Sequence, residues 1–242
     1  TVSPPIDAKL CSPAAVSATP LNMSRRSGGA MASRYKRLVG APCNNAEMSA
    51  LDTQHGFAAA AERDGIELAQ QSVDWLNQRG HLGIPDGENQ RSTIAALERI
   101  YLALGGDLAT LATARTTPLR GDFVHLATGT LIEVDESQHF TSFRLQTLEM
   151  YPAGAPLGFD IEHYKQLCRV WQKKSDAYRR TKAARGFGPG GRQRQRAYYD
   201  ALRDLTTPAM GRPPLVRIAA ADRDPEVAYR EHRGALLQAL GR

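Results

Sequence analysis

The run Thr130-Leu131-Ile132-Glu133-Val134-Asp135 constrains the fold more than any other stretch of the chain. Its aliphatic and β-branched residues predict a strand, and strand alternation puts Ile132 and Val134 on one face and Leu131, Glu133 and Asp135 on the other. The strand looks buried, and two carboxylates projecting from one side of it are costly without a cation or a partner. Upstream, Gly121-Asp122-Phe123-Val124-His125-Leu126 is a second β-prone run, and Ala127-Thr128-Gly129 can turn between the two. Pairing in such a hairpin brings Asp122 to Glu133. Two carboxylates so placed invite a hard cation such as Mg2+, which takes a few protein oxygens and leaves its other positions to water and phosphate. Which face is buried is not written in the sequence, so a solvent-facing acidic side of the hairpin stands as the plainer alternative.

Around the hairpin the period is helical. Phe57, Ala60, Ile66, Leu68 and Trp75 predict one or two helices over Ser49 to Gln78, and the Gly-rich segment Arg79 to Asn89 predicts a loop. Ser92 is the expected cap of a helix carrying Ile94, Leu97, Tyr101 and Leu104, which Gly105-Gly106 stop. Glu98 lies beside its core positions. Downstream, Asp160 caps a helix with the stripe Ile161, Tyr164, Cys168 and Trp171. After the break Gly186–Gly191 come a helix with Tyr198, Leu202 and Leu205, a strand Leu215 to Ala220, and a last helix opened by Asp224-Pro225. The order predicts an α/β (α+β) fold, a small mixed sheet flanked by helices. Residues 1–48, rich in Pro, Ser, Ala and Gly, predict a flexible basic tail, residues 49–90 a helical extension, and residues 91–242 the main domain.

The net charge of +6 is unevenly placed. Between Lys165 and Arg196 there are eleven Lys and Arg against the single acid Asp176. This basic insertion, at about residues 160–196, suits a polyanion through Lys173, Lys174, Arg179, Arg180, Lys182, Arg185, Arg192, Arg194 and Arg196. Equally, such a face can be solvated and paired with acids elsewhere. Cys11, Cys43 and Cys168 are far apart and in no metal-ligand spacing, so neither a disulfide framework nor a zinc site is expected. No run of about 18 apolar residues suggests a membrane span, and no charged segment leads into an apolar stretch as in a secretory leader. A cytoplasmic location is expected.

Asp122-Phe123-Val124 followed by Leu131-Ile132-Glu133-Val134-Asp135-Glu136-Ser137-Gln138-His139-Phe140 resembles the PD-(D/E)xK nuclease superfamily, in particular the branch similar to very-short-patch repair endonucleases, where E-x-D with a nearby His replaces E-x-K. The resemblance covers roughly residues 92 to 221. It implies a restriction-endonuclease-like core, with helix Gln195 to Leu205 as crossover and Leu215 to Ala220 as its third strand. It further implies that Asp122 and Glu133 are metal ligands, with Glu98 a further one, and that His139 assists the attacking water or the leaving group. Asp135 stands at the superfamily's lysine position, and Gly121 where a proline is usual. The missing lysine leaves open what polarises the water, Gln138 or an Arg of the basic helices being candidates.

The expected function is therefore a Mg2+-dependent DNA endonuclease, with Mn2+ as a substitute, acting in restriction, defence or repair. A homodimer would suit cleavage of both strands. The alternative is a nucleic-acid-binding protein on the same fold that does not cleave, and a third class is a partner-binding protein.

Overall fold

The computed structural model describes residues 50–242, so the tail expected over residues 1–48, with Cys11 and Cys43, lies outside the described residues. Helix α1 (Ala50–Arg63) ends at Gly65, whose φ of 68° is the left-handed conformation that stops helices. The chain then turns into strands β1 (Leu68–Ala69) and β2 (Ser72–Asn77), which corrects the helical expectation for the second half of Ser49 to Gln78. Ile66 packs in one core and Val73 with Leu76 in another, so a single helical face could not have served all three.

A single-turn 3-10 helix (Gly80–Gly83) lies within the expected loop. Helix α2 (Glu88–Ala103) starts at an N-cap of Gly87, earlier than the expected Ser92, and is followed by α3 (Leu108–Ala112), capped by Asp107. Strands β3 (Pro118–Arg120), β4 (Phe123–His125) and β5 (Thr130–Glu136) come next. Helices α4 (Ser142–Glu149), α5 (Ile161–Ser175) and α6 (Arg192–Ala209) lead to strand β6 (Val216–Ala220) and helix α7 (Pro225–Ala239). The expected caps Asp160 and Asp224 each accept two backbone N–H bonds at the start of α5 and α7.

The main sheet has the order β1-β4-β5-β6. Its first three strands are antiparallel, and β6 joins parallel to β5 after the helical crossover. Strands β2 and β3 form a separate antiparallel ladder. Phe123, Ile132, Val134, Val216 and Ile218 turn to one face, where α1 and α7 cover them with Phe57, Ala60 and Tyr229. The other face is divided along β5. Leu131, with Val124 from β4, joins a core completed by Leu97, Ile100 and Tyr101 of α2 and Tyr198 and Leu202 of α6. Glu133 and Asp135 continue that same face as buried charges.

The described residues, 50–242, lie in one compact unit, so the domain boundary expected near residue 90 runs through packed core. The reason is that α1 supplies the cover for the very strands that carry the acids. Among the described residues no helix is long and apolar enough to cross a membrane.

Candidate active site

Asp122 lies at the mouth of the β4–β5 hairpin. Its Oδ2 accepts from the backbone N–H of Val134 at 2.9 Å, and its own N–H donates to Glu133 Oε1 at 3.3 Å. The expected meeting of these two acids therefore occurs. Gly121 has a local cause: a Cβ there would overlap the Leu131 side chain and come within 3.2 Å of Glu133 Oε1. Its N–H also donates to Gln71 O, a bond that a proline would lack.

The pair is poorly neutralised. Burial pushes the Asp122 carboxyl up to about 6, against the hydrogen bond from Val134. Burial also pushes Glu133 up to about 8, with Arg203 opposing the rise and the Asp122 charge adding to it. Arg203 Nε lies 3.3 Å from Glu133 Oε1 without the alignment of a hydrogen bond. The Arg203 Nη groups are committed to the carbonyls of Tyr199 and Arg120.

Asp135, two residues further along the same face, is in the opposite condition. Arg217 Nη1 donates to both its oxygens, at 3.0 and 2.8 Å. Arg217 Nε donates to Asp204 Oδ1 at 2.7 Å, and Asp204 Oδ2 accepts from Arg144 Nη2 and the Tyr151 hydroxyl, each at 2.6 Å. His139 Nδ1 lies 3.2 Å from Asp135 Oδ1 and 3.0 Å from Asp200 Oδ2. Although burial acts to raise it, the His139 ring and Arg217 hold the Asp200 carboxyl well below the usual carboxylate range.

Ligand atoms of Asp135, His139 and Asp200 fall within 4.8 Å of one another, a spacing that could hold a metal ion. The guanidinium on Asp135 argues against one there, because a divalent cation would meet the Arg217 charge at the same carboxylate. Asp122 and Glu133 suit a hard cation better. Both carboxyls border open space, Glu133 buried and Asp122 half-buried, and the raised pKa of each reflects a charge that its surroundings do not offset.

That space is a cavity of about 490 Å3. Asp122, Glu133, His139 and Asp200 border it, together with Arg185, Arg192, Arg196 and Arg203. Helix α6 supplies one wall through Arg192, Gln195, Arg196, Tyr199, Asp200 and Arg203, spaced by three and four so that all share one helical face. Its opposite face, with Tyr198, Ala201, Leu202 and Leu205, is core. The sequence reading used the apolar stripe of this helix and passed over the polar one. Asp200, Arg203 and Asp204 lie on that polar stripe, which has the same period, whereas Arg217 is the charged residue inside the apolar strand β6.

The other expected residues divide. Glu98 does not border the cavity. It lies off the buried face of α2, and its charge acts on His81, whose pKa burial lowers and Glu98 raises. Gln138 takes part through its carbonyl, which accepts from Arg196 Nη1 at 3.0 Å. Arg194 is spent on the carbonyls of Leu104, Phe187 and Pro189. Lys173, Lys174, Arg179, Arg180 and Lys182 are exposed on the end of α5 and the loop after it and do not border the cavity. Cys168 is a buried free thiol, pushed up to about 12 by burial.

Residues 99–238, more than half of the chain, match the family of unknown function DUF7255. No curated protein and no solved structure matches the chain.

Proposed function

We propose, for a chain that belongs to the DUF7255 family and so inherits no assigned activity, a metal-dependent phosphodiester hydrolase acting on DNA in the cytoplasm. One observation carries this reading: two under-neutralised carboxylates, Asp122 and Glu133, share a single cavity with four arginines. An acidic pair beside a basic wall fits a divalent cation bound together with a phosphate. The antiparallel strands bearing the acids, and the parallel strand reached through a helical crossover, agree with a restriction-endonuclease-like core.

Asp122 and Glu133 would hold Mg2+, or Mn2+ in its stead. When bound, the cation supplies Lewis-acid stabilisation of the charge growing on the phosphate and a lower pKa for a water. Arg185, Arg192 and Arg196 hold phosphate oxygens in a site where fixed cations do not need to reorganise. His139, with Nδ1 turned to Asp200 and Asp135, keeps Nε2 for proton transfer at the cavity. Asp135, committed to Arg217, fixes His139. Arg203 is the cation beside Glu133 that the absent motif lysine would otherwise supply.

The test is supercoiled plasmid with Mg2+ or Mn2+. Nicking is expected, lost on chelation and reduced at least ~100-fold, or about 2.7 kcal/mol of barrier, by Asp122→Ala or Glu133→Ala. Cleavage indifferent to both substitutions would sink the proposal. Salt-sensitive DNA binding without metal-dependent cleavage would favour the non-cleaving alternative, to which the Arg203–Glu133 ion pair also speaks.

A further inference from the structure

Of the eleven cations between Lys165 and Arg196, the cavity takes three, Arg185, Arg192 and Arg196. Lys165 and Arg169 face the acids Glu162 and Glu149, at 2.7 and 3.7 Å, and Arg194 is committed to three carbonyls. The other five, Lys173, Lys174, Arg179, Arg180 and Lys182, stand within ten consecutive residues and are all exposed. No acid among the described residues pairs with any of them. The one acid of the stretch is turned away, Asp176 Oδ1 accepting from the backbone N–H of Ser142 at 3.0 Å. Like charges so crowded repel one another, and a chain free to move would spread them.

Here the backbone beneath them is fixed. Gln193, buried in the first turn of α6, donates through Nε2 towards the carbonyls of Ser175, Asp176 and Tyr178, at 3.0, 2.9 and 2.7 Å. At the other end of the stretch, Lys182 O accepts from the N–H of Arg192 at 3.1 Å. Between them Arg179 has a φ of 53°, the left-handed conformation that few residues other than glycine adopt, with its guanidinium 5.1 Å from the centre of the exposed Tyr178 ring. Such a conformation persists only where the surroundings hold it. The ties are amides and carbonyls, so the stretch is ordered without loss of its charge. It is also continuous with the cavity, since it is bound to the turn of α6 that carries Arg192 and Arg196. Burial lowers the Arg196 pKa against Asp200, and Arg192 and Arg179 lower it further.

A duplex presents one phosphate charge per about 1.7 Å of its axis on its outer surface, which a patch of cations meets without a recess. We infer that Lys173–Lys182 is a second DNA contact, a fixed platform for backbone phosphates that flank the one held at Asp122 and Glu133. This rests on the hydrolase reading and names its substrate as a duplex that reaches beyond the cavity. Phosphate contacts of this kind position the DNA and carry no preference for sequence.

The experiment measures fluorescence anisotropy of a labelled duplex of about 20 base pairs titrated with the full chain at several salt concentrations, in Ca2+ so that binding is read without turnover. Lys174→Gln, Arg179→Asn and Arg180→Gln are made singly and together, asparagine being the residue that tolerates the left-handed conformation. Arg230→Gln, at an exposed position of α7 across the sheet, removes the same charge elsewhere. Each platform substitution should lower the slope of log K against log salt by about 0.9, and the three together by about 2.7, while Arg230→Gln leaves it unchanged. A slope unmoved by the single and combined variants would overturn the inference. An equal fall from Arg230→Gln would do the same, because the effect would then be one of net charge. If the combined variant ceases to sediment with phosphatidylserine vesicles and keeps its DNA slope, the surface belongs to an anionic membrane and the inference fails. The outcomes separate the platform from its premise. A lowered slope with plasmid left intact removes the hydrolase alone, and Asp122-dependent nicking with unchanged slopes removes the platform alone.

Discussion

Glu133 and Asp135 share one strand face, yet one is left short of positive charge and the other accepts with both oxygens from a guanidinium nitrogen of Arg217. The contrast predicts a pH dependence. Asp122 and Glu133 have folded pKa values raised to about 6 and about 8, so the folded chain binds more protons than the unfolded one between about pH 4 and 8. Their contribution makes the metal-free protein less stable as pH rises through that window. Asp200 acts with the opposite sign: its depressed pKa contributes stability that is lost only as pH falls below the usual carboxylate range. Thermal melts in a chelating buffer should therefore fall from pH 6 to 8, and Mg2+ should raise Tm more at pH 8 than at pH 6. Glu133→Gln, melted at pH 8 without metal, is expected to gain about 2–4 °C, the shift that ~1 kcal/mol produces in a domain of this size. A Tm unchanged or lowered by that substitution contradicts the assignment of Glu133 as the strained partner. Arg217→Met should do the reverse, costing about 3–5 kcal/mol in urea unfolding, since it strands Asp135 and Asp204 as buried charges.

Helix α6 shows how one element serves core and site together. Its apolar face was legible because Tyr198, Leu202 and Leu205 follow helical spacing, and its polar face carries the cavity wall at the same period. The basic insertion, legible as a charge run, is heterogeneous in space. Arg194 ties the N-terminal turn of α6 to three carbonyls, whereas Arg192 opens on the cavity. Arg194→Ala should therefore cost about 2 kcal/mol of stability and leave the salt dependence of DNA binding alone. Arg192→Ala should lower the slope of log K against log salt by about 0.9, one phosphate contact. Identical slopes for the two variants would show that the division by carbonyl partners is wrong. Other elements were not legible for plain reasons. Strand β1 has two residues, too few for any period, and its role comes from pairing Leu68 with His125. The start of α2 lies at Gly87, which has no side chain with which to announce a cap.

At the scale of the molecule, the family match begins at residue 99, inside α2, while the sheet and its cover begin at α1. Phe57, Ala60 and Ile66 pack in one core with Phe123, Ile132 and Val134 of the sheet, and β1 pairs the free edge of β4. A fragment of residues 99–238 should therefore expose an apolar sheet face and fail to unfold cooperatively, whereas residues 47–242 should give a single transition. A cooperative transition from the shorter fragment would show that α1 and β1 are dispensable. The amino-acid order alone decided the hairpin, its two faces, the caps at Asp160 and Asp224, and the approach of Asp122 to Glu133, because each depends on residues within about a dozen positions. The tertiary structure decided which acids are satisfied and which are left for a ligand. Arg217 reaches Asp135 across 82 positions and Asp200 reaches His139 across 61. Neutralisation of a buried charge depends on distance through space, and a local pattern of residues carries no record of it.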